Sequence, residues 1–136
     1  MNNKFWIGGV IGFIAFFLLG YVVYVLALGT TLQAHTMPGV SREEMDWVHL
    51  LLGNIAYGFA ISYILSKSNT SSFGGGATTC LITGLLIILG ADLISFATTK
   101  IISDTTGLFL DVAAFGFMFA VVGGIVGAYR GMGAKQ

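Results

Sequence analysis

Four long apolar runs, separated by short polar stretches, fill almost the whole chain: Phe5 to Gly29, Trp47 to Leu65, Ala77 to Ala97 and Leu108 to Tyr129. A helix rises ~1.5 Å per residue, and about twenty apolar residues cross ~30 Å of hydrocarbon. Each run reaches that length. The pattern predicts an all-α integral membrane protein, a single transmembrane domain over residues 1–136. Its four helices are expected to run up-down-up-down as a bundle, with spans of about 5–29, 47–65, 77–97 and 108–129.

Composition strengthens that reading. Of the 136 residues, 56% are hydrophobic and 9% are charged, against about 25% charged in a soluble domain. Such a chain cannot cover a water-facing surface. Six basic residues balance six acidic ones, so no basic field exists for nucleic acid. The single Cys80 lies inside the third run. It excludes an intrachain disulfide and reads as a small buried helix residue. The first run follows Lys4, but it is too long for a signal core and lacks a clear small-x-small cleavage site. It is expected to be a retained span.

The charges give an orientation. Lys4, Lys67, Arg130 and Lys135 fall on one side of a four-span layout, Arg42 and Lys100 on the other. The excess predicts both termini in the cytoplasm. The loop around Pro38-Gly39 then faces outward, together with the turn near Ser103 to Thr106. Ser41 followed by Glu44 has the spacing of a capping box for the second helix. Trp47 suits the interfacial belt. Ser66 to Gly76 reads as a cytoplasmic turn, and Ser103 or Asp104 as the cap of the fourth helix. With connections this short, consecutive helices are expected to be antiparallel neighbours.

The chain carries 20 glycines. In lipid, helices associate through small residues that let backbones approach closely. Gly116, Gly123 and Gly127, with Ala113 and Ala120, form a stripe on the fourth helix. Gly12 and Gly20 lie with Gly8 along the first, and Gly84 with Gly76 on the third. These faces serve packing inside the bundle or contact with another subunit. The two halves also echo one another. Leu19-Gly20 leads to Thr30-Thr31 as Leu89-Gly90 leads to Thr98-Thr99, and Tyr57-Gly58-Phe59 parallels Phe115-Gly116-Phe117. A parallel two-helix repeat is the corresponding expectation.

The polar intramembrane residues share a depth. Counted from the outer helix ends, Tyr24, Asn54, Asp92 and Asp111 all fall in the outer half of the bilayer, with His49 nearer the surface. They predict an outward-facing polar cup. Asp92 is the strongest of them, because a carboxylate at that depth must face the bundle and find a partner or a proton. It serves an interhelical hydrogen bond, a ligand or ion site, or a proton relay. Asn54 reads as interhelical glue or as part of the cup. His35 and His49 match no metal-ligand or haem spacing, so no metal or cofactor is expected. Nucleophile, phosphate-loop and paired-cysteine motifs are missing, so the chain does not read as an enzyme.

The stretch Phe17-Leu18-Leu19-Gly20-Tyr21-Val22-Val23-Tyr24, ending near Gly29, resembles the first span of a broad domain-of-unknown-function family of small bacterial four-helix membrane proteins. Gly20, Tyr24 and Gly29 match its Gly, Tyr and second Gly. Val23 stands where the family carries Trp, and the Pro that follows is missing. The resemblance implies a bacterial inner-membrane location and no particular activity.

Two functions follow as expectations. The first is a packing or accessory subunit, either self-associating as a homo-oligomer or docked on a larger membrane complex. The second is a small proton-coupled transporter or channel that uses Asp92 in the polar cup. In either case the lipid bilayer is the surrounding partner.

Overall fold

The computed structural model describes residues 3–132, so Lys135 lies outside the described residues. The first span is a helix, α1 (Asn3–Gly20), continued by a π-helical segment, Tyr21–Ala27. A short α2 (Gly29–Ala34) follows, then α3 (Trp47–Lys67), α4 (Phe73–Thr98) and α5 (Thr105–Gly131). Four helical stretches are long and apolar enough to cross a membrane: Asn3–Ala27, Trp47–Lys67, Phe73–Thr98 and Thr105–Gly131. Their bounds follow the four apolar runs to within a few residues. The protein is an all-α, membrane-embedded bundle.

The helices do not pack as a square. α4 lies closely against α5, and α1 against α3. The two pairs meet through α5, which touches both α1 and α3, whereas α3 and α4 make only sparse contact. The expectation that consecutive helices are neighbours holds within each pair and is weak between them. The cause is the distribution of small residues. α5 is buried along nearly its whole length, from Gly107 to Gly127. Over half of its span is enclosed (56%), against 17–22% for the other three.

Glycines set the helix separations. A methyl group on Gly58 would strike the backbone nitrogen of Phe13 and lie 2.7 Å from the Gly9 carbonyl oxygen. The α1 and α3 backbones therefore touch, with Gly12 opposite. Gly76 of α4 presses in the same way on the Gly123 carbonyl and on Gly127 of α5. Gly84 meets the Phe119 ring, Gly116 meets Leu85, and Gly20 lies against Met118. Every glycine of the predicted packing faces is thus covered within the chain. Each half of the molecule is a glycine-packed pair of helices.

Between the pairs lies an aromatic cluster. Phe115 stacks on Phe119 at 4.8 Å between ring centroids. Phe16 meets both rings edge-on, and Tyr57 closes the group from α3. Such pairs contribute about 0.5–1.5 kcal/mol beyond their buried area. Ser62 is fully buried and donates to the Phe5 carbonyl at 2.8 Å, tying α3 to α1.

The helix ends are chemically defined. Ser72 caps α4, its Oγ accepting from the Gly75 amide. Asp104 caps α5, accepting from the Gly107 amide at 2.8 Å. Asp46 caps α3, accepting from the His49 amide. The Ser41–Glu44 box does not form this cap, because α3 starts only at Trp47. α3 ends with Asn69 in the left-handed region at φ 51°. There the Thr70 amide donates to Leu65 O and the Asn69 amide to Ser66 O, the bonds of a Schellman motif. At the end holding the described termini, Lys4 Nζ donates to the carbonyls of Arg130 and Met132. This places a cation at the negative end of α5. Arg130 in turn donates to Thr70 O and Ser66 Oγ.

A candidate polar pocket at the far end of the bundle

At the opposite end, two loops are stitched together. Thr36 and Ile102 form an isolated antiparallel bridge. The Met37 amide donates to Ile101 O and the Ser103 amide to His35 O. A side-chain clasp reinforces them: His35 Nδ1 lies 2.7 Å from Asp104 Oδ2. Gly107 permits the fit, since a Cβ there would lie 2.7 Å from His35 Cβ. The Asp104 carboxyl is held below its ordinary range, first by the Gly107 amide and then by the His35 hydrogen bond. An ionised carboxylate only accepts, so Nδ1 carries the proton in this contact.

Beneath this clasp is a pocket of about 330 Å³, lined by Tyr24, Leu32, His35, Thr36, Asp92, Ser95, Ile101, Ile102, Gly107 and Asp111. Tyr24 reaches it from the π-helical segment. There the bonding widens, and the Leu28 amide donates to Val23 O five residues back. The wider turn changes the phase of the residues that follow, and such segments recur at functional sites. The Tyr24 hydroxyl donates to Asp111 Oδ1 at 2.7 Å, joining the first span to the last.

Asp92 enters from α4. It is 7% exposed, and its Oδ2 has no hydrogen-bond partner among the described residues. It lies six residues before Thr98, the end of the helix, or about 9 Å along the axis. A buried polar group without a partner is costly, so it demands a ligand, a proton or water. One turn below Asp111 stands Phe115, and the aromatic cluster begins there. A second recess, about 370 Å³, lies between α1 and α5 and is lined only by apolar residues such as Leu18, Val22 and Val121. It holds no chemistry.

Three of the five predicted cup residues meet here: Tyr24, Asp92 and Asp111. Asn54 does not line the pocket. Its Nδ2 donates to the Leu50 carbonyl of its own helix. His49 is also elsewhere, paired with Asp46 at 2.7 Å on an exposed helix start. The reason is the packing order: α3 lies against α1 and away from α4, so its polar residues are not brought to the pocket. His35, held by Asp104, and Thr36 take that place, and the sequence offers no local signal for it, because the meeting depends on how two distant loops pair. Among the described residues no group of His, Cys, Asp and Glu is arranged to hold a metal ion.

Compared with protein-family models, curated proteins and solved structures, the chain matches none. Its site is therefore read from its own residues.

Proposed function

We propose that this chain is a small solute-binding membrane protein of the transporter class, working through the pocket that holds Asp92, Asp111 and Tyr24. One observation carries the reading. A carboxyl more than nine-tenths buried presents an unpartnered oxygen beside a cavity of ligand size, and pockets for small molecules start at roughly 300 Å³. The aromatic floor favours a binding site that opens to one side at a time over an open channel. The uneven distribution of Lys and Arg supports an orientation of the pocket away from the cytoplasm, and the resemblance of the first span favours a bacterial inner membrane. An accessory subunit was the other expectation. Its main support was the glycine stripes, and these face partners inside the chain.

Accessibility tests the reading. Ser95 lines the pocket, and Cys80 is fully buried, so Ser95→Cys supplies a single reactive thiol. In sealed cells it is expected to react with a membrane-impermeant thiol reagent added outside, while the parent chain stays silent. A Cys at position 95 that reacted only after the membrane was opened would refute the outward orientation. One that never reacted would remove the pocket as a functional site.

A further inference from the structure

The hydrogen-bonding inventory of the pocket is one-sided, and it names a chemical class of ligand. Each side-chain hydrogen at the wall is already committed. The Tyr24 hydroxyl donates to Asp111. The Thr36 hydroxyl donates to Leu32 O at 2.8 Å. The Thr99 hydroxyl donates to Ser95 O, so in the contact between Ser95 Oγ and Thr99 Oγ1 at 3.3 Å the hydrogen comes from Ser95. His35 gives its Nδ1 hydrogen to Asp104. Even the Gly107 amide is taken, by Asp104 Oδ1. What remains at the wall is a pair of carboxyls, Asp92 and Asp111, the first of them buried and with Oδ2 lacking a donor partner. Among the described residues no Lys or Arg lines the cavity.

A wall with two carboxyls and no Lys or Arg rejects anions and receives cationic groups rich in N–H. Size narrows the class further. Oxygens that ligate a bare metal ion close to within about 2.0–2.6 Å of it, far tighter than a cavity of about 330 Å³. Leu32, Ile101 and Ile102 add an apolar flank beside the carboxyls.

We propose that the pocket takes a small organic cation, an ammonium or guanidinium on a short apolar body, whose N–H groups donate to the carboxylates of Asp92 and Asp111. This rests on the pocket being the functional site, and the test is arranged to separate the two claims. The full chain, held in lipid nanodiscs, is titrated calorimetrically with n-butylammonium, guanidinium, butyrate and sodium ion in turn. Butylammonium and guanidinium are expected to bind saturably, and butyrate is not. A hydrogen bond to a charged group is strong enough that Asp92→Asn should weaken binding roughly 10- to 100-fold.

Protection of Ser95→Cys from the thiol reagent gives a second measurement that needs no folding of an Asp92 variant. Butylammonium is expected to slow the labelling and butyrate to leave it unchanged. Rapid labelling that no cation slows would overturn the ligand class while leaving the pocket intact. So would protection by butyrate, or by sodium ion as effectively as by butylammonium. Cation binding that Asp92→Asn does not weaken, in a variant that elutes and melts like the parent, would overturn it too.

Discussion

The Tyr24 hydroxyl donates to Asp111 Oδ1 at 2.7 Å, across 87 positions of sequence. It is a direct polar link between the first and last spans, made where the first span widens into a π-helix. Interhelical hydrogen bonds in membranes average about 0.6 kcal/mol, with the best near 1.7. Tyr24→Phe should therefore cost about 1 kcal/mol in an SDS unfolding titration. Combined with Asp111→Asn, the two losses should fall short of additive. Fully additive losses would mean that the two groups do not interact.

Backbone contact between helices predicts a sharp contrast among glycines. Gly58→Ala drives a methyl group into the Phe13 backbone, and overpacking of this kind costs about 1–3 kcal/mol or more. Gly90→Ala meets nothing within 4 Å. It should be neutral or stabilising by up to about 1 kcal/mol through the lower chain entropy of Ala. Thermal melts of the two variants in the same mild detergent decide the point. Equal melting temperatures would remove the close α1–α3 approach.

The turn after α3 offers an independent stability test. Asn69 sits at φ 51°, where L-residues with a branched Cβ are penalised by about 1–2 kcal/mol. Asn69→Val should lose about that amount, whereas Asn69→Gly should match or slightly exceed the parent. The same melts read both.

Acid should loosen the far-end clasp in a defined direction. The Asp104 carboxyl is held below its ordinary value of 3.8 by the Gly107 amide and by His35. A depressed folded value means that the contribution is fully present above the ordinary value and is lost as pH falls through the folded one. Hydrogen-exchange protection of the Gly107 and Ser103 amides, corrected for intrinsic rates, should thus be insensitive to Asp104 between about pH 7 and 5. It should collapse below about pH 4. Asp104→Asn, which can still cap the helix, should flatten that acid response. Protection lost in the same acid window with Asn in place would assign the effect to another group.

The spans were legible because lipid imposes so strong a constraint on length and polarity. Asp92 and Asp111 stood out for the same reason, since few ionisable groups enter such helices. The capping role of Asp104 was open to view because it depends on chain-local geometry. Asn54 and His49 went astray because matching depth does not imply a shared face, and depth alone says nothing about which helices pack together. That order is set by where backbones can touch, as at Gly58 against Phe13 and Gly76 against Gly123. The His35–Asp104 clasp was out of reach for a related reason: two loops, far apart in sequence, meet only after the spans have assembled. The π-helical widening at Tyr24 has no compositional mark either, as Val and Tyr serve an ordinary helix equally well.

Because α5 carries most of the contact between the two halves of the bundle, tolerance to substitution should be distributed very unevenly. A saturation scan should find the last span nearly as unforgiving as the interior of a water-soluble enzyme. α1, α3 and α4 should each accept almost any oily side chain over most of their circumference. Evolution of such a protein is free to redecorate three of its spans for different membranes, while the fourth keeps its spelling.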